Sequence, residues 1–232
     1  MKPVKILGIS GSPRKNGNTA KMVAKALEGA MTVAGVETEL YELAGKKIHH
    51  CIGCYKCMEK ARCVFEDDLY EFGKKFFETD GVIWGSPVYH MSVPASMKAL
   101  LDRFSNMLLG RYFSQWKDVP RFSKVCGVVT NGASSYGGQD MVLSFLLNSC
   151  LLMNGIVVSG DTIRDSYIGA AAYTGYGPDP FSGDNIYKDE KALECAKSVG
   201  KRVAEITRIV KAGKESLKNE LPEDYSYTWD LT

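Results

Sequence analysis

Four cysteines, Cys51, Cys54, Cys57 and Cys63, fall within thirteen residues in the run C-I-G-C-Y-K-C-M-E-K-A-R-C. Packing does not require four thiols on a short glycine-containing stretch, whereas metal ligation does. Compact C-x2-C-x2-C runs suit iron–sulfur ligation, in which a short loop wraps a small cubane and gives a sulfur to each iron. Structural zinc also takes four thiolates, usually from two C-x2-4-C pairs set further apart. A disulfide pair is the third reading, and it needs an oxidising compartment. Cys126, Cys150 and Cys195 are isolated among mostly apolar or small residues and read as small buried hydrophobes.

Three other stretches carry binding chemistry. Ser10-Gly-Ser-Pro-Arg-Lys-Asn-Gly-Asn-Thr19 leads from an apolar run into a helical pattern. Its small residues, hydroxyls and helix N-terminus make an anion site, because backbone N–H groups and the helix dipole favour negative charge there. It is not a P-loop: five residues separate Gly11 from Gly17, and Asn18 stands where the lysine belongs. The dinucleotide pattern G-x-G-x-x-G is absent too. Ser10, Ser12, Asn16, Asn18 and Thr19 are the candidates for a terminal monophosphate, with Arg14 or Lys15 nearby. In Gly85-Ser-Pro-Val-Tyr-His-Met-Ser-Val93, the residues Pro87, Val88 and Tyr89 offer apolar walls to a flat heteroaromatic ring. In Thr130-Asn-Gly-Ala-Ser-Ser-Tyr-Gly-Gly-Gln139, glycines let backbone amides approach a ligand edge, and Asn131, Gly132, Tyr136 and Gly138 are the candidate contacts. A monophosphate site, an aromatic wall and a polar rim describe a flavin mononucleotide (FMN) pocket. No side chain is assigned as a catalytic acid or base, His90 included.

The elements that must position these loops alternate along the chain. Strand-like runs at Val4–Ile9, Glu37–Leu43, Gly81–Gly85, Lys124–Thr130 and Ile156–Ser159 are separated by helical stripes. Those stripes include Met22/Val23/Ala26/Leu27/Ala30, Leu69/Phe72/Phe76 and Met97/Leu100/Leu101/Phe104. Five β–α units with nearly continuous apolar strands predict an α/β fold, a doubly wound five-stranded parallel sheet covered on both faces. The flavodoxin-like order 2-1-3-4-5 fits, and its ligand crevice lies beyond the carboxyl ends of strands 1 and 3. One domain is expected over residues 1–211, with the cysteine loop at 44–66 and a tail at 212–232.

The 232 residues carry a formal net charge of +2, which gives no reason to expect nucleic acid or an anionic membrane as partner. No apolar stretch reaches the roughly 18 residues of a spanning helix, and the N-terminal run is too short for a signal segment. A cytoplasmic protein with reduced thiols is the expectation.

GSPRKNGNT after strand 1, CIGCYKC…C after strand 2 and WGSPVYHMSVPASMKALLDR from strand 3 together resemble the NADPH-dependent FMN reductase superfamily, and within it the iron–sulfur flavoproteins. The likeness covers roughly residues 4–160. It implies FMN with its phosphate on Ser12, Asn18 and Thr19 and its ring beside Pro87, Val88 and Tyr89. It also implies a 4Fe-4S cluster on Cys51, Cys54, Cys57 and Cys63, and a homodimer or homotetramer in which one subunit's cluster lies near another's flavin. Lys46, Lys47, Lys56, Lys60 and Arg62 are available to offset the cluster's negative charge.

Three functions compete. The first is an electron-transfer flavoprotein passing electrons from a ferredoxin-like donor through cluster and FMN to a quinone, oxygen or peroxide. The second is an NAD(P)H-dependent FMN or quinone reductase whose cysteine site is vacant or filled by zinc. The third is a non-enzymatic, zinc-stapled interaction module that docks through the aromatic tail Tyr225–Trp229.

Overall fold

The structure, a computed structural model, describes residues 3–60, 62–113 and 124–221; the aromatic tail lies outside the described residues. The chain runs β1 (Val4–Ser10), α1 (Asn18–Met31), β2 (Val36–Glu42), α2 (Lys56–Lys60), α3 (Leu69–Phe77), β3 (Gly81–Pro87), α4 (Ala95–Phe113), β4 (Val125–Gly132), α5 (Gln139–Leu152), β5 (Ile156–Val157), β6 (Ala170–Tyr173) and α6 (Glu190–Ser216). The strands form one parallel sheet in the order β2-β1-β3-β4-β5, as the alternation of apolar runs predicts.

Strand periodicity sorts the core into two layers. Leu7, Ile9, Val82, Trp84, Cys126 and Val128 pack under α3, α4 and α5 with Phe72, Phe76 and Phe104. Ile6, Ile83, Val125 and Val129 face the other way, onto α1 and α6. These two helices approach so closely that a Cβ on Gly200 would lie 1.7 Å from the Ala26 carbonyl oxygen. The isolated cysteines Cys126, Cys150 and Cys195 are buried as expected.

The fifth position of the sheet differs from the sequence expectation of a single strand at Ile156–Ser159. Two short strands share it. Ile156 and Val157 pair with the start of β4, the chain leaves through a turn of 3-10 helix at Thr162–Arg164, and Ala170–Tyr173 returns to pair with Val129–Gly132. An alanine-rich strand carries little β-propensity, so its run gives no strand signal. The consequence is functional: β6 ends beside the end of β4, where Thr174 N–H donates to the Gly132 carbonyl at 2.8 Å. No helix among the described residues is long and apolar enough to cross a membrane.

Candidate functional site

The loops beyond β1, β3, β4 and β6 enclose a cavity of about 180 Å³. Ser12, Arg14, Asn18 and Thr19 line one side, Pro87, Val88 and Tyr89 a second, and Asn131 and Gly132 a third. Its lining contains no carboxylate and one guanidinium, which suits a phosphate. Gly17 stands at the N-cap of α1 with no side-chain cap, so the first-turn N–H groups have no side-chain acceptor there. The Ser12 hydroxyl accepts from Arg14 N–H at 3.1 Å and keeps its own proton to donate. A Cβ on Gly132 would stand 2.9 Å from Gln139 Nε2 and 3.2 Å from Val88 Cγ2, so a side chain there would press on both neighbours.

Two predicted phosphate side chains are engaged elsewhere. Asn18 Nδ2 donates to the Ser182 carbonyl at 2.8 Å, and its Oδ1 accepts from Ile186 N–H at 3.0 Å. Thr19 Oγ1 donates to Asn131 Oδ1 at 2.6 Å, tying the first loop to the third. Asn18 thus fastens the stretch that carries Pro180 and Phe181, which forms a fourth wall together with Thr174. The sequence marks Asp161–Lys188, rich in Gly, Tyr and Pro, as a cover for the ligand or a subunit contact without deciding between them, and the residues of this wall fall within it.

Four predicted contacts do not line the cavity. Ser10 is fully buried in the end of β1. Asn16 N–H donates to Glu42 at 2.9 Å. Tyr136 is 99% exposed. Gly138 has φ 98°, and a Cβ there would come within 3.0 Å of Met91 Cα, so its glycine serves loop-to-loop contact. Met91 and His90 both take positive φ, 62° and 47°, in a tight turn closed by mutual hydrogen bonds between Tyr89 and Ser92.

The four cysteines line a second cavity of about 150 Å³, with Ile52, Met58, Val64 and Phe65 as apolar neighbours. Gly53 and Tyr55, at φ 64° and 55°, bend the loop back on itself. Its ends are fastened to the start of α3: Asp68 accepts from Lys47 N–H, Asp67 from His49 N–H at 2.9 Å, and Tyr70 donates to the Cys63 carbonyl at 3.0 Å. Its middle lies on α4, where a Cβ on Gly110 would sit 2.4 Å from the Cys57 carbonyl oxygen. His49 stacks on Phe65 with centroids 4.1 Å apart, a packing role.

Among the described residues, no three His, Cys, Asp or Glu side chains are grouped to hold a single metal ion. A cubane is different, since its four ligand sulfurs stand around a multi-atom body rather than converging on one point. The Cys57 thiol is pushed up, first by burial and also by the thiols of Cys63, Cys51 and Cys54. Four clustered thiols resist joint ionisation unless cations sit among them, and their cavity offers soft donors among largely apolar walls for such a group.

The cation that lines this cavity is not one of those beside the cysteine run in sequence. Lys46 pairs with Glu71 and Arg62 with Glu66, and none of Lys46, Lys47, Lys56, Lys60 or Arg62 lines the cavity. The cation at the wall is Arg103, 2% exposed, whose Nε and Nη2 each stand 3.3 Å from Cys63 Sγ. Asn106 Nδ2 stands 3.9 Å from Cys51 Sγ. A signal for Arg103 existed: it sits three residues after Leu100 and four before Met107, on the apolar stripe of α4. Burial raises the carboxyl of Asp67, but hydrogen bonds from Arg103, His49 N–H and Leu69 N–H outweigh it and hold the group below the ordinary carboxylate value.

Comparison with known proteins shows the family of this chain. Residues 4–166 match the family model of NADPH-dependent FMN reductases. An iron–sulfur flavoprotein of Methanocaldococcus jannaschii is 40% identical over 208 residues, 90% of this chain and 100% of that one. An iron–sulfur flavoprotein of Methanosarcina thermophila is 29% identical over 91% of this chain and 100% of its own. Among solved structures, the flavodoxin, WrbA-like protein from Agrobacterium tumefaciens superposes with a TM-score of 0.56 at 20% identity, over 89% of this chain and 98% of that one, a likeness of fold. The chain therefore belongs to the iron–sulfur flavoprotein branch of the NADPH-dependent FMN reductase family, flavin-dependent oxidoreductases of flavodoxin-like fold.

Proposed function

We propose that this protein is an electron-transfer flavoprotein holding FMN in the crevice and a 4Fe-4S cluster on Cys51, Cys54, Cys57 and Cys63. The observation that carries the reading is the coexistence of two carboxylate-free cavities in one chain, one walled by four thiols and one by an uncapped helix start. When bound, the cluster handles single electrons and FMN one or two, which links a one-electron donor to a small acceptor such as a quinone, oxygen or peroxide. The chain's own part is placement. Backbone N–H groups at Gly17–Thr19, the Ser12 hydroxyl and Arg14 take the phosphate; Pro87, Val88 and Tyr89 take the ring; Asn131 and Gly132 take its polar edge.

Arg103 lies eight residues beyond Ala95, about 12 Å down the axis of α4 from the loop that lines the crevice. The thiol cavity is thus displaced from its own chain's crevice, which supports a homodimer or homotetramer that brings one copy's cysteines to another's flavin. Four free thiols that must persist until iron arrives suit the reducing cytoplasm.

The family itself favours a second reading, direct hydride transfer from NAD(P)H to FMN with the cysteines idle. Anaerobic reconstitution with iron and sulfide separates the two. The first reading expects a cluster that dithionite bleaches and a ferredoxin-like donor that reduces the flavin only when Cys54 is intact. No iron uptake despite four free thiols overturns it. Flavin bleaching by NADPH at equal speed in the wild type and in Cys54→Ala establishes the second.

A further inference from the structure

We propose that Arg103 sets the reduction potential of the cluster through its two hydrogen bonds to Cys63 Sγ, an inference that rests on the cluster assignment above. All five guanidinium N–H donors are engaged. Nε and Nη2 each reach Cys63 Sγ at 3.3 Å, Nη2 also reaches the Phe65 carbonyl at 3.1 Å, and Nη1 reaches the His49 carbonyl at 3.1 Å and Asp67 Oδ2 at 2.5 Å. The side chain is nearly inaccessible to solvent, so water neither screens nor replaces these bonds. Its fork is therefore held in a single orientation, with two donors aimed at one sulfur.

This makes the four thiols unequal. Among the described residues, Cys51 has one long side-chain contact, from Asn106, and no side-chain donor reaches Cys54 or Cys57. Hydrogen bonds to cluster sulfurs and nearby fixed charge are what set such potentials. Reduction adds negative charge, so a buried cation with two N–H groups on Cys63 stabilises the reduced form more than the oxidised form and raises the potential. The carboxylate of Asp67, on the far edge of the same guanidinium, acts in the opposite sense. Lysine at this position keeps the charge but not the planar fork.

The test is a spectroelectrochemical titration of the cluster in anaerobically reconstituted wild type, Arg103→Lys and Asp67→Asn, with iron counted in each. Arg103→Lys is expected to shift the one-electron equilibrium about tenfold towards the oxidised form, a midpoint about 59 mV lower. Asp67→Asn, whose amide still accepts from Nη1, is expected to move the midpoint upward. Midpoints equal to wild type in both variants at full iron content overturn the inference, because a merely structural arginine leaves the potential alone. If Arg103→Lys fails to load, Asp67→Asn decides: an unmoved or lowered midpoint overturns it. Wild type that takes up no iron overturns the cluster reading itself, and this inference with it.

Discussion

The crevice proposed to hold FMN draws its walls from four stretches scattered between Ser12 and Phe181, each delivered by the end of a strand. Among the described residues, the cysteine cavity draws nearly all of its walls from residues 51–65 and borrows Arg103 and Asn106 from α4. The first is a product of the sheet. Its geometry follows from register, and its anion site is largely backbone. The second is a product of one loop pinned at a few points: Asp67 and Asp68 at its ends, Gly110 beneath Cys57, Arg103 against Cys63. The crevice should therefore tolerate single side-chain changes that the cavity does not, and damage to either should leave the other standing.

Cys54→Ala should separate the two sites most strongly. Iron loading is expected to be abolished while FMN remains stoichiometric, measured by metal analysis and flavin absorbance on the same sample. Loss of both groups together would show that the two sites are not separable. Gly110→Ala comes next. The added Cβ meets the Cys57 carbonyl, so overpacking of about 1–3 kcal/mol is expected, with most of the iron lost and FMN unaffected; a thermal melt and an iron assay read both.

Asn18→Ala probes the other side. It leaves the Ser182 carbonyl and Ile186 N–H without their partners, a loss of about 1–3 kcal/mol. FMN affinity is expected to fall about tenfold, or 1.4 kcal/mol, as the fourth wall loosens, with no change in iron content; fluorescence titration with FMN measures it. The smallest effect is a pH dependence. The Asp67 carboxyl is held below its ordinary value of 3.8, so its contribution is fully present above that pH and is lost as pH falls through the lowered value. In the metal-free chain, the melting temperatures of wild type and Asp67→Asn should converge as acid is added; a gap that stays constant to the lowest pH would deny Asp67 that role.

Much of this was legible in the sequence, and the exceptions have physical reasons. Strand order and the loops beyond β1, β3 and β4 follow from contiguous apolar runs and glycine-rich turns, which are local signals. The cysteine run is also local. Ala170–Tyr173 was invisible as a strand because alanine signals packing tolerance rather than pleat. Asn18 and Thr19 have the residue types of phosphate ligands, but their side chains are satisfied by Ser182, Ile186 and Asn131, partners set by tertiary structure. Arg103 was readable only in phase: a charge on an apolar stripe means little until the stripe is known to be buried. The abundant cations beside the cysteines in sequence drew attention instead, although Lys46 and Arg62 among them pair with glutamates.

Whether one chain carries both a thiolate-bound cluster and a flavin is decided by the visible spectrum of anaerobically purified protein with iron, sulfide, zinc and flavin counted on the same sample. Flavin bands over broad sulfur-to-iron absorption are expected, with about four iron and four sulfide per chain and stoichiometric FMN. Stoichiometric zinc without iron, or iron without flavin, would contradict that expectation.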